Sequence, residues 1–370
     1  MAQILITGGA GFIGSHLADE LLEKGYSVRI LDNLSSQVHG ADRTIPSYLN
    51  SDVELIVDDV RNVDAVRKSL IGVDAVVHFA ACVGVGLSMY DIARYTSVNN
   101  CGTAVLLEAL IEKPVERLLV ASSMSIYGEG LYKEPDGAVY NSAERTLDQL
   151  KNSDWELRTP NGDVLSPVPT PEWKTPSLES VYALSKYDQE RMCLMIGRAY
   201  GIPTVAMRFF NAFGPNQALS NPYTGVLAIF ASRLLNDKPP LIFEDGRQHR
   251  DFVSVYDVAR ACRLALEVPE AAGHVFNIGS GTQYTVSEVA RKVAHVLGKD
   301  IEPEISGRYR VGDIRHCFPD ISQARKILGY EPTWDLEDGL VDLAAWLEGQ
   351  LAHDCFSEMK EDLAARGLVV

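Results

Sequence analysis

Residues 2–7, Ala-Gln-Ile-Leu-Ile-Thr, run straight into Gly8-Gly9-Ala10-Gly11-Phe12-Ile13-Gly14, and residues 15–24 follow. The first six residues read as a short buried strand, the glycines as a turn, and 15–24 as an amphipathic helix. Strand, glycine turn and helix, in that order, are the context in which glycines spaced like Gly8, Gly11 and Gly14 bind a dinucleotide. Gly8 permits the tight turn, Gly11 lets the backbone approach a pyrophosphate, and Gly14 lets the helix pack on the strand. The phosphates then face the free N–H groups and the positive end of the helix. A second apolar strand, 27–31, ends at Asp32. Its carboxylate is placed to accept hydrogen bonds from ribose hydroxyls, and it would repel a 2′-phosphate, which favours NAD over NADP.

The same rhythm continues outward. Strand 53–57 ends at Asp58-Asp59-Val60, and strand 75–79 at Ala80-Ala81. Residues 93–112 read as one long helix, 117–121 as the strand leading into Ser122-Ser123, and 203–208 as a further strand. Such alternation predicts an α/β fold, a Rossmann-type doubly wound parallel sheet with its ligands at the carboxyl ends of the strands. Beyond residue 211 the pattern loosens, which suggests a smaller C-terminal lobe. The expected division is a dinucleotide-binding domain over 1–210, a substrate-binding lobe over 211–345 and a helical tail over 346–370. Residues 129–180 break the rhythm with charge and proline; a connection this long reads as a lid or a surface insertion. It holds no Cys or His, so no metal site is expected there.

Net charge is −16 over 370 residues, which disfavours nucleic acid or an anionic membrane as partner. An anionic substrate must then be held by local arginines against the global field. No apolar run approaches bilayer length, and Met1 leads directly into the first strand, leaving no room for a signal peptide. Cysteines at 82, 101, 193, 262, 317 and 355 lack metal-type or redox-pair spacing, as expected for reduced thiols in a cytoplasm.

Tyr182 and Lys186 lie in Ser-Val-Tyr-Ala-Leu-Ser-Lys on a helix reaching to about residue 200. Four residues apart, their side chains can reach a common point. An ammonium beside a phenol stabilises the phenolate, so the expectation is a Tyr182 pKa below the usual 10 and a proton acceptor near neutral pH.

With these pieces together, the chain resembles the extended short-chain dehydrogenase/reductase family, in its nucleotide-sugar epimerase and dehydratase branch. The resemblance rests on residues 7–14, Asp59-Val60-Arg61, His78-Phe79-Ala80-Ala81, Asn99-Asn100-Cys101-Gly102-Thr103 and Ser-Ser-Met-Ser-Ile-Tyr-Gly at 122–128. It continues through Tyr182-x-x-x-Lys186, Arg-Phe-Phe-Asn-Ala-Phe-Gly-Pro at 208–215 and Asp-Gly-Arg-Gln-His-Arg-Asp-Phe at 245–252. It implies that Tyr182 is base and acid at a sugar hydroxyl, that Lys186 holds the nicotinamide ribose, and that Ser123 hydrogen-bonds the reacting oxygen. The implied cofactor shell is Gly8, Gly11, Phe12, Ile13, Gly14, Asp32, Asn33, Asp59, Val60, Phe79, Ala80, Ala81, Asn99 and Phe210, with Tyr182 and Lys186. Asn211, Arg250 and Arg310 are implied at the substrate pyrophosphate, where a guanidinium fork fits two oxygens. Asp313 belongs to the Arg310-Val-Gly-Asp motif, and 221–230, with Val226, to the segment closing over the base.

Dehydratases of the branch carry an Asp-Glu pair directly after the motif serine; here Met124 and Ser125 stand there, and neither can act as the acid–base pair. The resemblance therefore implies a 4-epimerase that recycles a tightly bound NAD and needs no metal. Cys317 falls where such epimerases control room near C2 of the sugar. The long insert and Leu-Ser-Pro-Val-Pro-Thr-Pro-Glu at 165–172 resemble a subgroup acting on dTDP-6-deoxyhexoses such as dTDP-L-rhamnose. UDP-glucose, UDP-N-acetylglucosamine and UDP-glucuronate stay open as substrates. A dehydratase or reductase of the branch, and a non-catalytic NAD-binding protein, stay open as alternatives. A homodimer through helices 93–112 and 182–200 is expected by the same resemblance.

Overall fold

The computed structural model describes residues 1–40, 42–142, 144–217, 225–310, 312–348 and 356–369. Seven parallel strands form the central sheet: β1 (Gln3–Thr7), β2 (Ser27–Asp32), β3 (Glu54–Val57), β4 (Ala75–His78), β5 (Arg117–Ser123), β6 (Thr204–Phe209) and β7 (Val275–Ile278), in the order 3-2-1-4-5-6-7. The strand order reverses beside β1, so a crevice opens at the carboxyl ends of β1 and β4.

Near-continuous apolar runs make these strands, because both faces are covered. Ile4 and Ile6 of β1 enter one core with Val77, Leu119 and Val205, while Leu5 enters the other with Val76, Leu118 and Val120. The first face is closed by α1 (Phe12–Glu23) and helix Val255–Glu267. The second is closed by helix Val63–Ser69, α2 (Gly102–Glu112) and α3 (Val181–Tyr200). The Ser180 hydroxyl caps α3 by accepting from Ala183 N–H, and Gly201 ends it at φ 70°, a left-handed conformation in which glycine carries no Cβ penalty.

Three sequence expectations change shape. The division at residue 210 is crossed, because β7 and helix Val255–Glu267 come from beyond it yet complete the dinucleotide sheet. The single helix over 93–112 is instead Ile92–Tyr95, a π-helical turn Thr96–Cys101 and then α2. That wide turn carries the fully buried Asn99 against Cys82, as π turns often do near functional sites. The third change concerns the insert over 129–180, which is bolted to the C-terminal lobe. Strands Leu131–Lys133, Val139–Tyr140 and Ser166–Val168 form a small sheet around Tyr132, Leu157 and Leu165.

The bolt is a buried charge network. The fully buried Arg315 reaches Glu156 of the insert at 2.5 Å, Glu244 at 3.0 Å and Asp245 at 2.5 Å, and Arg145 of the insert reaches Glu244 at 2.6 Å. Removing one partner of such a cluster strands the others without compensation. Arg315→Ala is therefore expected to cost about 3–5 kcal/mol and to make the insert the first site of proteolytic nicking. Denaturant unfolding and limited proteolysis check this, and a loss below about 1 kcal/mol would sink it.

The C-terminal lobe builds its own core from Phe213, Phe230, Phe252, Val289 and Leu340. Helix Phe356–Ala365 follows, and Val369 pairs in antiparallel fashion with Arg310. Among the described residues, no helix is long and apolar enough to cross a membrane.

Candidate active site

The crevice is a cavity of about 920 Å³. Small-molecule pockets run from roughly 300 to 1,000 Å³, so this one lies near the top of the range and has room for a cofactor-sized guest. Its floor is the glycine turn. Gly8 sits at φ 72°, and a Cβ there would stand 2.7 Å from Ala80 N; at Gly14 a Cβ would stand 2.6 Å from Gly9 Cα. Those two glycines are demanded by the protein itself. A Cβ on Gly11 would meet only the Gly8 carbonyl oxygen, at 3.5 Å, with the open crevice beyond. The bare backbone at Gly11 is a cradle for a guest rather than a packing need. Gly11 is also the N-cap of α1 and offers no side-chain cap, so the helix presents free N–H groups to whatever lies there. Asp32 ends β2 with its carboxylate accepting Ala10 N–H at 3.0 Å and Leu34 N–H at 2.9 Å, and each oxygen keeps a further lone pair for hydroxyl donors.

Phe12, Ile13, Asn33, Val60, Phe79, Ala80, Ala81 and Phe210 also line the crevice. Asp59 does not; Asp58 takes its place on the wall. Arg61 grips the Asp59 carboxylate at 2.8 Å and holds it well below the usual carboxylate range, and the Asn33 amide donates to it at 2.9 Å. Asn99 is likewise off the wall. Its amide donates to the Cys82 carbonyl and the Ser185 hydroxyl while its oxygen accepts Cys82 N–H, so it fixes the 80–83 loop against α3.

Of the three expected reacting side chains, Ser123 and Tyr182 meet at the crevice wall, and Lys186 lines the crevice beside them. Ser123 is the last residue of β5, and its Oγ accepts both the backbone N–H and the hydroxyl of Ser125, at 3.2 and 2.9 Å. With those bonds accepted, its own proton is left to donate to Tyr182 at the crevice wall. Tyr182, in the first turn of α3, has its backbone N–H held by the Ser88 hydroxyl. Burial pushes its phenol upward, and a hydrogen bond from Ser123 opposes this. The expected depression by Lys186 is absent, because the ammonium is turned away onto Gln189 Oε1 at 2.6 Å. Burial lowers Lys186 from 10.5 to about 8.

Gln189 escaped the sequence reading, although its place three residues after Lys186 on the same helix was the available signal. Its amide is fixed by Thr103 at 2.8 Å within a buried set that includes His78 and Thr7. Burial drives His78 down to about 3, so the imidazole stays neutral there. Because a buried Lys186 cation is disfavoured, the unfolded chain holds its proton more tightly between about pH 8 and 10.5, and stability gained from this group rises across that window. Lys186→Met is expected to raise the Tm of the cofactor-free chain at pH 7, with the gain shrinking as pH climbs from 8 towards 10.5. Melting curves at both ends decide it; a gain that grows with pH would contradict the burial argument.

The other end of the crevice is basic. Arg250 and Arg310 line it, a local answer to the −16 global charge, while Arg61 and Arg94 line the dinucleotide side, where they reach Asp59 and the Ser35 hydroxyl. Arg250 donates to the carbonyls of His249, Arg315 and Ile314. Arg310 pairs with Asp313 at 2.9 Å and lies over the Phe243 ring at 4.8 Å. Burial alone would raise Asp313, but Arg310, Arg250 and Arg145 together hold its carboxyl below the usual range, so it acts as an anchor for arginines. Asn211 donates to the Asp251 carbonyl at 2.6 Å, and Val226 opens a helix at the wall. Residues 221–224 of the expected base-closing segment lie outside the described residues. Cys317 does not reach the crevice: its strand runs beside Arg250 and buries the thiol among Met124, Tyr127 and Phe210, and Ile314 faces the cavity instead.

The family model described as NAD dependent epimerase/dehydratase matches residues 4–147 and 162–279. The chain belongs to this NAD-dependent epimerase/dehydratase family. Its relatives include a dTDP-L-rhamnose 4-epimerase of Burkholderia thailandensis, 35% identical over 359 residues, covering 94% of this chain and 96% of that protein. The UDP-glucose 4-epimerase of Thermotoga maritima, solved with UDP-glucose, superposes with a TM-score of 0.77 at 31% identity, covering 94% of this chain and 98% of the other. The UDP-glucose 4-epimerase of Thermus thermophilus, solved with NAD, gives 0.75 at 30% identity and covers 94% and 100%. NAD is the family's cofactor, and the open cradle at Gly11 together with the carboxylate of Asp32 fits it.

Proposed function

We propose that this family member is an isomerase that inverts C4 of a nucleoside-diphosphate hexose through a 4-keto sugar, with dTDP-L-rhamnose as the leading substrate. The observation that carries the reading is the Ser123–Tyr182 hydroxyl pair at the crevice wall with Met124 and Ser125 beside it, where water elimination would need two carboxyl groups. When bound, NAD supplies a hydride acceptor and donor for the sugar carbon. Tyr182 takes the proton of the C4 hydroxyl and returns it after the sugar has turned over. Ser123, oriented by Ser125, donates to the same oxygen and stabilises it while it bears charge. Lys186 swings from Gln189 towards Tyr182 and favours the phenolate. Arg250 and Arg310 hold the pyrophosphate, so the hexose can rotate about a fixed anchor. The Burkholderia relative and the insert support the deoxyhexose; UDP-glucose and UDP-glucuronate are the second choice, from the other relatives.

The test is a screen of dTDP- and UDP-hexoses by NMR of the anomeric protons, with coenzyme absorbance followed alongside. Interconversion of two C4 epimers without accumulation of reduced coenzyme is expected. A 4-keto-6-deoxy product, or stoichiometric coenzyme reduction, would point to a dehydratase or dehydrogenase.

The reading extends to organisation. The cofactor-binding unit is residues 1–210 with the two later elements that complete its sheet, and 211–345 is mainly the substrate lobe. Cytoplasmic residence fits the five described cysteines, all free thiols. A homodimer through α2 and α3 is supported by Leu184 and Met195, 46% and 47% exposed, which lie three turns apart on one face of α3. Leu184→Glu combined with Met195→Glu is expected to halve the mass seen by light scattering; an unchanged mass would remove α3 from the interface.

A further inference from the structure

The C-terminal segment crosses the mouth of the crevice. Leu363 and Leu368 line the cavity at its basic end and pack with Leu241 and Phe243 of the C-terminal lobe. Val369 pairs by backbone with Arg310. On the opposite bank, Arg366 lies over the ring of Tyr90 at 4.1 Å, and Tyr90 follows the 83–89 wall of the dinucleotide domain. The segment thus touches both lobes and spans the gap between them. A second observation points to a guest beneath it. Gln248 is 5% exposed and lines the cavity; its amide nitrogen donates to the Phe243 carbonyl at 2.8 Å, but its buried Oε1 has no partner among the described residues. A buried acceptor without a donor is costly, and a guest carrying an N–H would satisfy it.

We propose that residues 363–369 are a strap that completes the nucleotide subsite, with Leu363 and Leu368 covering the base of a nucleoside diphosphate anchored by Arg250 and Arg310. The proposal rests on the nucleotide-sugar reading and adds to it the wall furnished by the tail. A flat apolar ring bearing an imide N–H, as in uracil or thymine, would pack under the two leucines and donate to Gln248. The strap acts on binding: it packs on Leu241, Phe243 and Arg310 of the C-terminal lobe, so its loss should appear in KM and leave kcat nearly alone.

The experiment titrates UDP and dTDP into the NAD-loaded chain by calorimetry, comparing the full chain, a chain ending at Lys360 and the single variant Leu368→Gln. The expected result is diphosphate binding weakened about tenfold or more on truncation, and in the same direction for Leu368→Gln, with KM raised in parallel and NAD content retained. Should the truncated chain not fold, the Leu368→Gln chain decides alone. Unchanged affinity in the folded variants would overturn the strap, and so would tighter binding, which would mark the tail as a plug. If the full chain binds neither diphosphate, the nucleotide-sugar reading itself fails.

Discussion

Tyr182→Phe is expected to lower kcat by about 10²–10⁴-fold while the fold, the bound NAD and the affinity for nucleoside diphosphates stay intact. The phenyl ring keeps its edge-to-face contact with Tyr95, with ring centres 6.4 Å apart, and the backbone N–H keeps its bond to Ser88. Only the hydroxyl that meets Ser123 is lost. Ser123 accepts from Ser125 in either case, so its orientation survives the change. Because the hydroxyl moves a proton in the transition state and contributes little to holding the ground state, the loss belongs in kcat rather than KM. Single-turnover measurements with coenzyme absorbance would place it in the oxidation step. Activity within a few-fold of the native chain would remove Tyr182 from the proton path.

Gly11→Val is expected to abolish NAD retention with only a small loss of stability, whereas Gly14→Val should lose both. The two glycines sit three residues apart in one turn, yet their surroundings differ. At Gly14 an added Cβ would lie 2.6 to 2.8 Å from Gly9 Cα, Gly8 O and Gly9 O, all backbone, so turn and helix must separate. At Gly11 it would enter open space claimed by the guest. Overpacking of the first kind costs about 1–3 kcal/mol or more. The second kind costs little, roughly the 0.5–1 kcal/mol of a poor N-cap, until a pyrophosphate arrives. Melting temperature and released-nucleotide content, measured on both variants, separate the two effects. If Gly11→Val keeps its NAD, the cradle lies elsewhere.

How much of this could be read from the chain alone depended on whether local geometry settled the question. The order strand, glycine turn, helix follows from residues 2–24 because each element carries its own pattern, and both faces of β1 are apolar because both are covered. Tyr182 and Lys186 share a helix face by the pitch of the helix. What misled was side-chain direction inside turns, where a distant partner decides. Asp59 and Asp58 are indistinguishable by motif, yet Arg61 and Asn33 capture the former and leave the latter on the wall. Spacing puts Cys317 at the sugar pocket, but its pairing beside Arg250 buries it while Ile314 takes the wall. The helix pitch directs Lys186 towards Tyr182, but Gln189 offers a buried oxygen one turn on and takes the ammonium. The roles of the insert and the tail were out of reach for a stronger reason. Arg315 meets Glu156 across 159 positions, and the strap meets Tyr90 across 276, separations that no local pattern encodes.

The account stands on hydrogen leaving C4 of a hexose and returning to the same carbon from within one closed site, with Tyr182 handling only the hydroxyl proton. The direct measurement is turnover of the nucleotide hexose in heavy water until the epimers reach equilibrium, followed by mass spectrometry and proton NMR of the C4 position. The account predicts both epimers with protium at C4. Deuterium at C4 in either epimer would contradict it, since the hydrogen would then have passed through an acid–base group open to solvent.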